Sequence, residues 1–320
     1  MVKRILTTLG ISLALFLCAS AQAGPLLKAP TSAPAGQASA APDAPRKGAS
    51  FPKFQPATQE EIALNRRRAT MMYQEARKFA PSIHLIETPH FVIYSTYPRT
   101  SDKQIAALCE KMYKTLCSQF GIPAKGSIFA GKCPVYVFDR IEDFRKFTTD
   151  VDSVKLALAG GYHYQQNDGF AYIVLNRTKS MNRFYELLTH EGTHAFQGRY
   201  LTNGALPMWV GEGMAEYFAG TLVKSSATKR YTTALREAAK KKRDLSQVMD
   251  KVELTEFDYG IAQAFVRYLV KRDPKAFVRF ITLLKSGRGE DEALHETYKL
   301  DRKALVKAVT AAAASRRVGF

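Results

Sequence analysis

Two short segments constrain this chain more than the rest of its 320 residues. They are L-L-T-H-E-G-T-H-A-F (Leu187 to Phe196) and L-P-M-W-V-G-E-G-M-A-E-Y-F (Leu206 to Phe218). Positions four apart on an α-helix project from one face. His190 and His194 therefore bring two imidazoles to one point, while Glu191 sits about 100° around the axis, beside that point. In the second segment Pro207 suits a helix start, and Glu212 and Glu216 lie one turn apart. The 17 residues between His194 and Glu212 allow a turn and an antiparallel return, so the fold is expected to pack two helices with polar groups facing each other. Alone, the first segment would also fit surface histidines on a solvated helix. The second tips the reading toward a metal clamp.

A catalytic zinc site wants three protein ligands and an open position. His190, His194 and Glu212 supply three, and Glu216 suits a hydrogen bond to the outer nitrogen of a ligating histidine, fixing its tautomer. Gly192 costs its helix about 1 kcal/mol against alanine. Either substrate or the glutamate helix is expected to come close there, or the glycine is a tolerated defect.

The strands and helices of the chain segregate. Residues 57–80 read as a helix stopped by Pro81, and Ile83 to Glu87 and His90 to Thr96 alternate as paired strands. Ser101 is expected to cap a helix running to about Phe120, Pro134 to Asp139 forms a buried strand, and Gly160 to Asn176 a hairpin turning at Asn167, Asp168 and Gly169. From Met181 onward the period is helical. Strands with helices first and helices afterwards predict an α+β protein with a cleft between two lobes.

The N-terminus reads as a targeting segment. Lys3 and Arg4 precede an apolar run from Ile5 to Leu17 and the small-x-small triplet Ala21 to Ala23, so residues 1–23 are expected to be a signal peptide. Residues 24–56 hold half of the 14 prolines and few large apolar side chains, the composition of a disordered tether. An exported, periplasmic or extracellular protein follows, with no transmembrane segment in the mature chain. Cys109 and Cys117, about 12 Å apart along one helix, cannot bridge each other. A Cys117 to Cys133 disulfide would suit an oxidising compartment.

With H-E-G-T-H and W-V-G-E-G-M-A-E-Y in place, the sequence resembles the gluzincin metallopeptidases, the clan of thermolysin and the zinc aminopeptidases, and within it the peptidase-MA-like family of secreted bacterial proteins. The resemblance spans about Thr88 to Leu269, with strong motifs between Leu187 and Tyr217. It implies a gluzincin-like α+β fold: a mixed N-terminal sheet with helices over residues 57–180 and a helical lobe carrying the zinc site over 181–320. It further implies one Zn2+ per chain held by His190, His194 and Glu212, with Glu191 as general base and Glu216 behind the ligands. The hairpin is similar to the strand pair that binds substrate main chain in thermolysin-like enzymes. Gly160 to Tyr164 would be its edge strand, with Gly161 and Tyr162 at the substrate, and Phe170 to Leu175 the inner partner; strand addition tolerates varied side chains. Y-G-I-A-Q-A-F-V-R-Y-L (Tyr259 to Leu269) resembles the following helix, which makes Tyr259 the candidate hydroxyl donor to an oxyanion. Tyr217, Tyr268 or no tyrosine remain alternatives. The G-A-M-E-N exopeptidase signature is absent.

The net charge is +18, or +16 without the leader, which favours anionic surfaces such as an envelope polymer without dictating a fold. Lys240 to Arg243 reads first as a solvated helix end, and no nucleic-acid module appears. His84, His90 and His295 belong to strands and a helix away from the motif, and Trp209 to packing; His163 lies in the proposed edge strand, where it could touch substrate or simply be a half-exposed strand residue. The expectation is a zinc metallopeptidase acting on peptide or protein substrates. The alternative is a non-catalytic cationic envelope-binding protein with a vestigial zinc site.

Overall fold

A reciprocal cap opens the first helix, α1 (Gln59–Phe79): the Thr58 hydroxyl accepts from the Glu61 amide, and the Glu61 carboxylate accepts from the Thr58 amide, satisfying two otherwise orphaned donors. The computed structural model describes residues 56–123, 127–153, 160–166, 168–202, 204–223 and 230–314. The expected leader and all but the last residue of the expected tether lie outside them, as does Asn167.

After α1 come strands β1 (His84–Glu87) and β2 (Phe91–Ser95), paired antiparallel. Helix α2 (Asp102–Phe120) crosses over to β3 (Cys133–Phe138), which runs parallel to β2. Ser101 does not cap α2 as its type suggests. It is already in the right-handed helical region, closing a short 3-10 turn, and its side chain makes no cap bond. Gly121 ends α2 at φ +65°, in the left-handed conformation that favours glycine. A short α3 (Ile141–Lys146) leads toward β4 (Gly161–Gln165) and β5 (Ala171–Asn176). The sheet order is β1-β2-β3-β5-β4, with β5 parallel to β3 and antiparallel to β4. Strand β4 thus forms one edge.

Every residue of β3 is buried, because both faces of the sheet are covered. Val135 and Val137 join a core with Met112 of α2, whereas Tyr136 and Phe138 join a second with Ala69, Met72 and Ala76 of α1 and Phe144 of α3. A central parallel strand covered in this way reads as an unbroken apolar run.

The remaining elements are helical: α4 (Met181–Arg199), α5 (Met208–Leu222), α6 (Arg230–Lys241), α7 (Glu256–Arg272), α8 (Pro274–Lys285), α9 (Glu290–Tyr298) and α10 (Arg302–Ala314). The core against α2 continues through Leu188, Met214 and Phe265 to Val309, so apolar packing runs unbroken across residue 180. Trp209 is fully buried, edge-on to Phe265 at 5.7 Å.

Two glycines mark close approaches. A Cβ on Gly192 would lie 2.3 Å from Met112 Cε, so the neighbour that comes close here belongs to α2 and not to the glutamate helix. A Cβ on Gly213 would lie 2.4 Å from the Ala262 carbonyl oxygen, which lets α5 press against α7. Cys109, Cys117 and Cys133 are free buried thiols. The expected Cys117 to Cys133 bridge is not formed: Cys133 lies inside the sheet, with its Sγ 3.7 Å from the Ala171 carbonyl oxygen.

Candidate metal centre

Helix α4 starts where the Ser180 side chain accepts from the Arg183 amide. It carries no solvated polar face at the motif, since every residue from Glu186 to Gln197 is buried. Lying between the sheet and the later helices, it directs His190 and His194 inward. Helix α5 follows Pro207 and returns alongside with Glu212 and Glu216 buried.

Three atoms meet between these helices. His190 Nε2 and His194 Nε2 are 3.2 Å apart, and each lies 3.3 Å from Glu212 Oε2. Ligands at zinc–nitrogen distances of about 2.0–2.1 Å in a tetrahedron stand about 3.3–3.4 Å from each other. The three atoms therefore match one face of such a tetrahedron.

The hydrogens agree with that match. His190 Nδ1 lies 3.2 Å from Glu216 Oε1. His194 Nδ1 lies 3.3 Å from Gln197 Oε1, and the Gln197 amide is oriented by donating from its nitrogen to the Gly211 carbonyl at 2.9 Å. Both outer ring nitrogens lie beside acceptor oxygens, which favours the tautomers that carry hydrogen there and turn a bare Nε2 lone pair inward. Three lone pairs converging in a buried space repel one another, and a cation among them resolves the repulsion. His190, His194 and Glu212 fit a divalent metal ion.

The electrostatics follow from these contacts. Burial by itself would raise the Glu212 carboxyl, but His194 and His190 outweigh it and hold Glu212 well below its ordinary value. Burial of Glu216 is likewise outweighed, by His190 and by Arg230, whose Nη1 donates to Glu216 Oε2 at 2.8 Å. Gln263 of α7 donates to the Glu216 carbonyl at 2.9 Å, tying the glutamate helix down from behind.

Glu191 stands beside the cluster, 2% exposed. Its Oε2 accepts from His163 Nδ1 at 3.4 Å, and the His163 ring stacks on His194 with centroids 4.8 Å apart. Burial pushes Glu191 up, but His163, His190 and His194 pull it below its ordinary value, whereas burial lowers His163. The Tyr259 ring is buried with its centroid 6.3 Å from that of His190. Tyr217 and Tyr268 are half-buried against the main core.

The proposed substrate residues part company. Gly161 pairs with Leu175, and a Cβ there would meet Leu175 and Leu187 side chains, so this residue lies over α4. Tyr162 does not turn its side chain to the metal cluster. Strand alternation sends it into the opposite core, where its hydroxyl bonds Asp152, leaving only its main chain on the edge. Other histidines have their own partners: His84 with Asp102 at 2.9 Å and His90 with Glu110 at 2.8 Å.

Gln197 and Arg230 were not foreseen as functional, and His163 only as a strand residue that could touch substrate. Gln197 lies at i+3 from His194, a spacing that puts it on the same helix face. His163 and Arg230 reach the site through tertiary packing, and no local spacing announces them.

A family model described as collagenase, peptidase family M9, matches residues 130–300, just over half of the chain, including strands β3 to β5 and both motif helices. The chain belongs to this collagenase family. Its members are zinc metallopeptidases, and peptides or proteins are the substrate class that membership implies. In this collagenase-family chain the buried cluster of His190, His194 and Glu212 lies within the matched region. Among the described residues no helix is long and apolar enough to cross a membrane.

Proposed function

We propose that the chain is an exported zinc metallopeptidase of gluzincin type, hydrolysing peptide bonds with Glu191 as general base. The observation that carries this reading is the convergence of three inward-facing lone pairs 3.2–3.3 Å apart, with a buried carboxylate on the next residue of the same helix. His190, His194 and Glu212 hold the metal, Glu216 and Gln197 fix the two imidazoles, and Arg230 keeps Glu216 in place. A zinc ion bound by these residues would supply Lewis acidity to activate water for attack.

The chain's own groups do the rest. Glu191 takes a proton from the attacking water and passes it to the leaving amine. The outer edge of β4, unpaired among the described residues, receives the substrate backbone as an added strand along Gly161 and the Tyr162 main chain. Tyr259 donates a hydroxyl to the oxyanion; its ring contact with His190 supports that role. The leader-like pattern of residues 1–23 supports export.

The test is metal analysis of the purified protein, then digestion of gelatin and of a peptide library with and without a chelator. Expected are one zinc per chain and cleavage abolished both by the chelator and by Glu191→Gln, which keeps its zinc. Undiminished cleavage by Glu191→Gln overturns the mechanism, and zinc without any cleavage favours a non-catalytic binding protein.

A further inference from the structure

The proposed mechanism assigns no task to the imidazole that touches its general base. His163 sits in β4, flanked by Tyr162 and Tyr164, which pack into the core on the far side of the sheet. The period of two along a strand therefore turns His163 toward α4. There its Nδ1 meets Glu191 Oε2 at 3.4 Å and its ring lies nearly parallel to His194, at an interplanar angle of 20°. The His163 side chain is 23% exposed against 3% for Glu191, so it is the more solvent-accessible of the two.

We infer that His163 is a positioning residue for the proposed general base: its Nδ1–H holds Glu191 Oε2, leaving the other carboxylate oxygen to take the proton. This rests on the reading of Glu191 given above. An ionised carboxylate only accepts hydrogen bonds, so the hydrogen belongs to Nδ1. A glutamate has several rotatable bonds, and a charge-assisted bond selects among its rotamers. Reaction rates are sensitive to misplacements of about 1 Å in such groups.

The location of His163 adds a consequence. β4 is also the strand whose edge is offered to substrate, and Gln165 Nε2 donates to the Gly198 carbonyl at 2.7 Å, a second tie between this strand and α4. The placement of the base is thereby coupled to the placement of the substrate strand. Loss of the His163 bond is expected to act on turnover and to spare binding.

Two substitutions separate the bond from the ring. His163→Phe keeps an aromatic ring for His194 but has no donor; His163→Asn offers an amide N–H close to the position of Nδ1–H but has no ring. In full-length zinc-loaded protein, with kcat and KM measured on the best peptide found by the library digest, His163→Phe is expected to lower kcat about 10- to 100-fold. KM and zinc content stay unchanged, and His163→Asn recovers most of the loss. Full kcat in His163→Phe, or equal impairment in both variants, overturns the inference in favour of a packing role. NMR of isotope-labelled histidine in the unaltered protein gives a reading independent of turnover and of how the variants fold. A hydrogen on His163 Nδ1 whose signal shifts in Glu191→Gln is expected, and a bare Nδ1 overturns the inference. Glu191→Gln assayed in parallel keeps the two claims apart: if it stays active the parent mechanism fails, whereas if it is inactive and His163→Phe is unimpaired only the role of His163 fails.

Discussion

Strand β4 has a largely buried carboxylate on each side, and the two behave oppositely. On the α4 side Glu191 meets His163, with His190 and His194 close by, and lies below its ordinary value. On the other side Asp152 accepts from the Tyr162 hydroxyl and, at 2.8 Å, from the Tyr172 hydroxyl, and is pushed up to about 7. Burial raises both acids. The imidazoles of His163, His190 and His194 overcome it for Glu191, whereas two neutral phenols only moderate it for Asp152. The same desolvation thus leaves one carboxylate ready to accept a proton and the other inclined to keep one. The partner, not the depth, makes the difference.

The largest effect expected from breaking this contrast is catalytic. Glu191→Gln should lower peptide hydrolysis by roughly 10²- to 10⁴-fold with zinc retained, while Asp152→Asn leaves turnover on the same peptide intact. Comparable loss in both would mean that the lower carboxylate also serves the reaction.

Next in size is a pH effect on stability. Asp152 has an ordinary value of 3.8 and is raised to about 7 in the folded chain, so the folded state keeps a proton that the unfolded state has released. The stability it contributes is present in full below about pH 4 and is lost as pH rises through about 7. Denaturant midpoints of the zinc-saturated protein should fall between about pH 5 and pH 8, and Asp152→Asn should flatten that slope. An unchanged slope would detach Asp152 from it.

The smallest effect concerns the hydroxyls. Tyr172→Phe removes one of the two donors to Asp152, raising that acid further, and should cost about 1 kcal/mol in chemical denaturation near neutral pH. The zinc content should not change, because the tyrosine lies on the face of the sheet away from α4. A loss of zinc would show that the two faces communicate.

Much of the metal cluster was legible because its ligands come from two short segments whose internal spacing is helical. Four residues from His190 to His194 and four from Glu212 to Glu216 define faces whatever surrounds them. The mixed strands followed by helices were legible from the change of period at Met181. Ser101 was misread because a preceding 3-10 turn already places it in helical geometry, and Gly192 because its neighbour, Met112, comes from a helix far away in the sequence. Tyr162 was placed at the substrate through the hairpin's resemblance to a substrate-binding strand pair, and alternation about His163 buries its ring on the other side while its main chain stays on the edge strand.

By itself the sequence determined which side chains share a helix face and where the chain changes from strand to helix, because these follow from the repeat of the backbone. Only the tertiary structure decided that α5 lies close enough for Glu212 Oε2 to stand 3.3 Å from both imidazoles, and that a strand histidine meets Glu191. Such contacts join residues with no common backbone repeat, and they exist only once the sheet and both helices bury their apolar faces against one another.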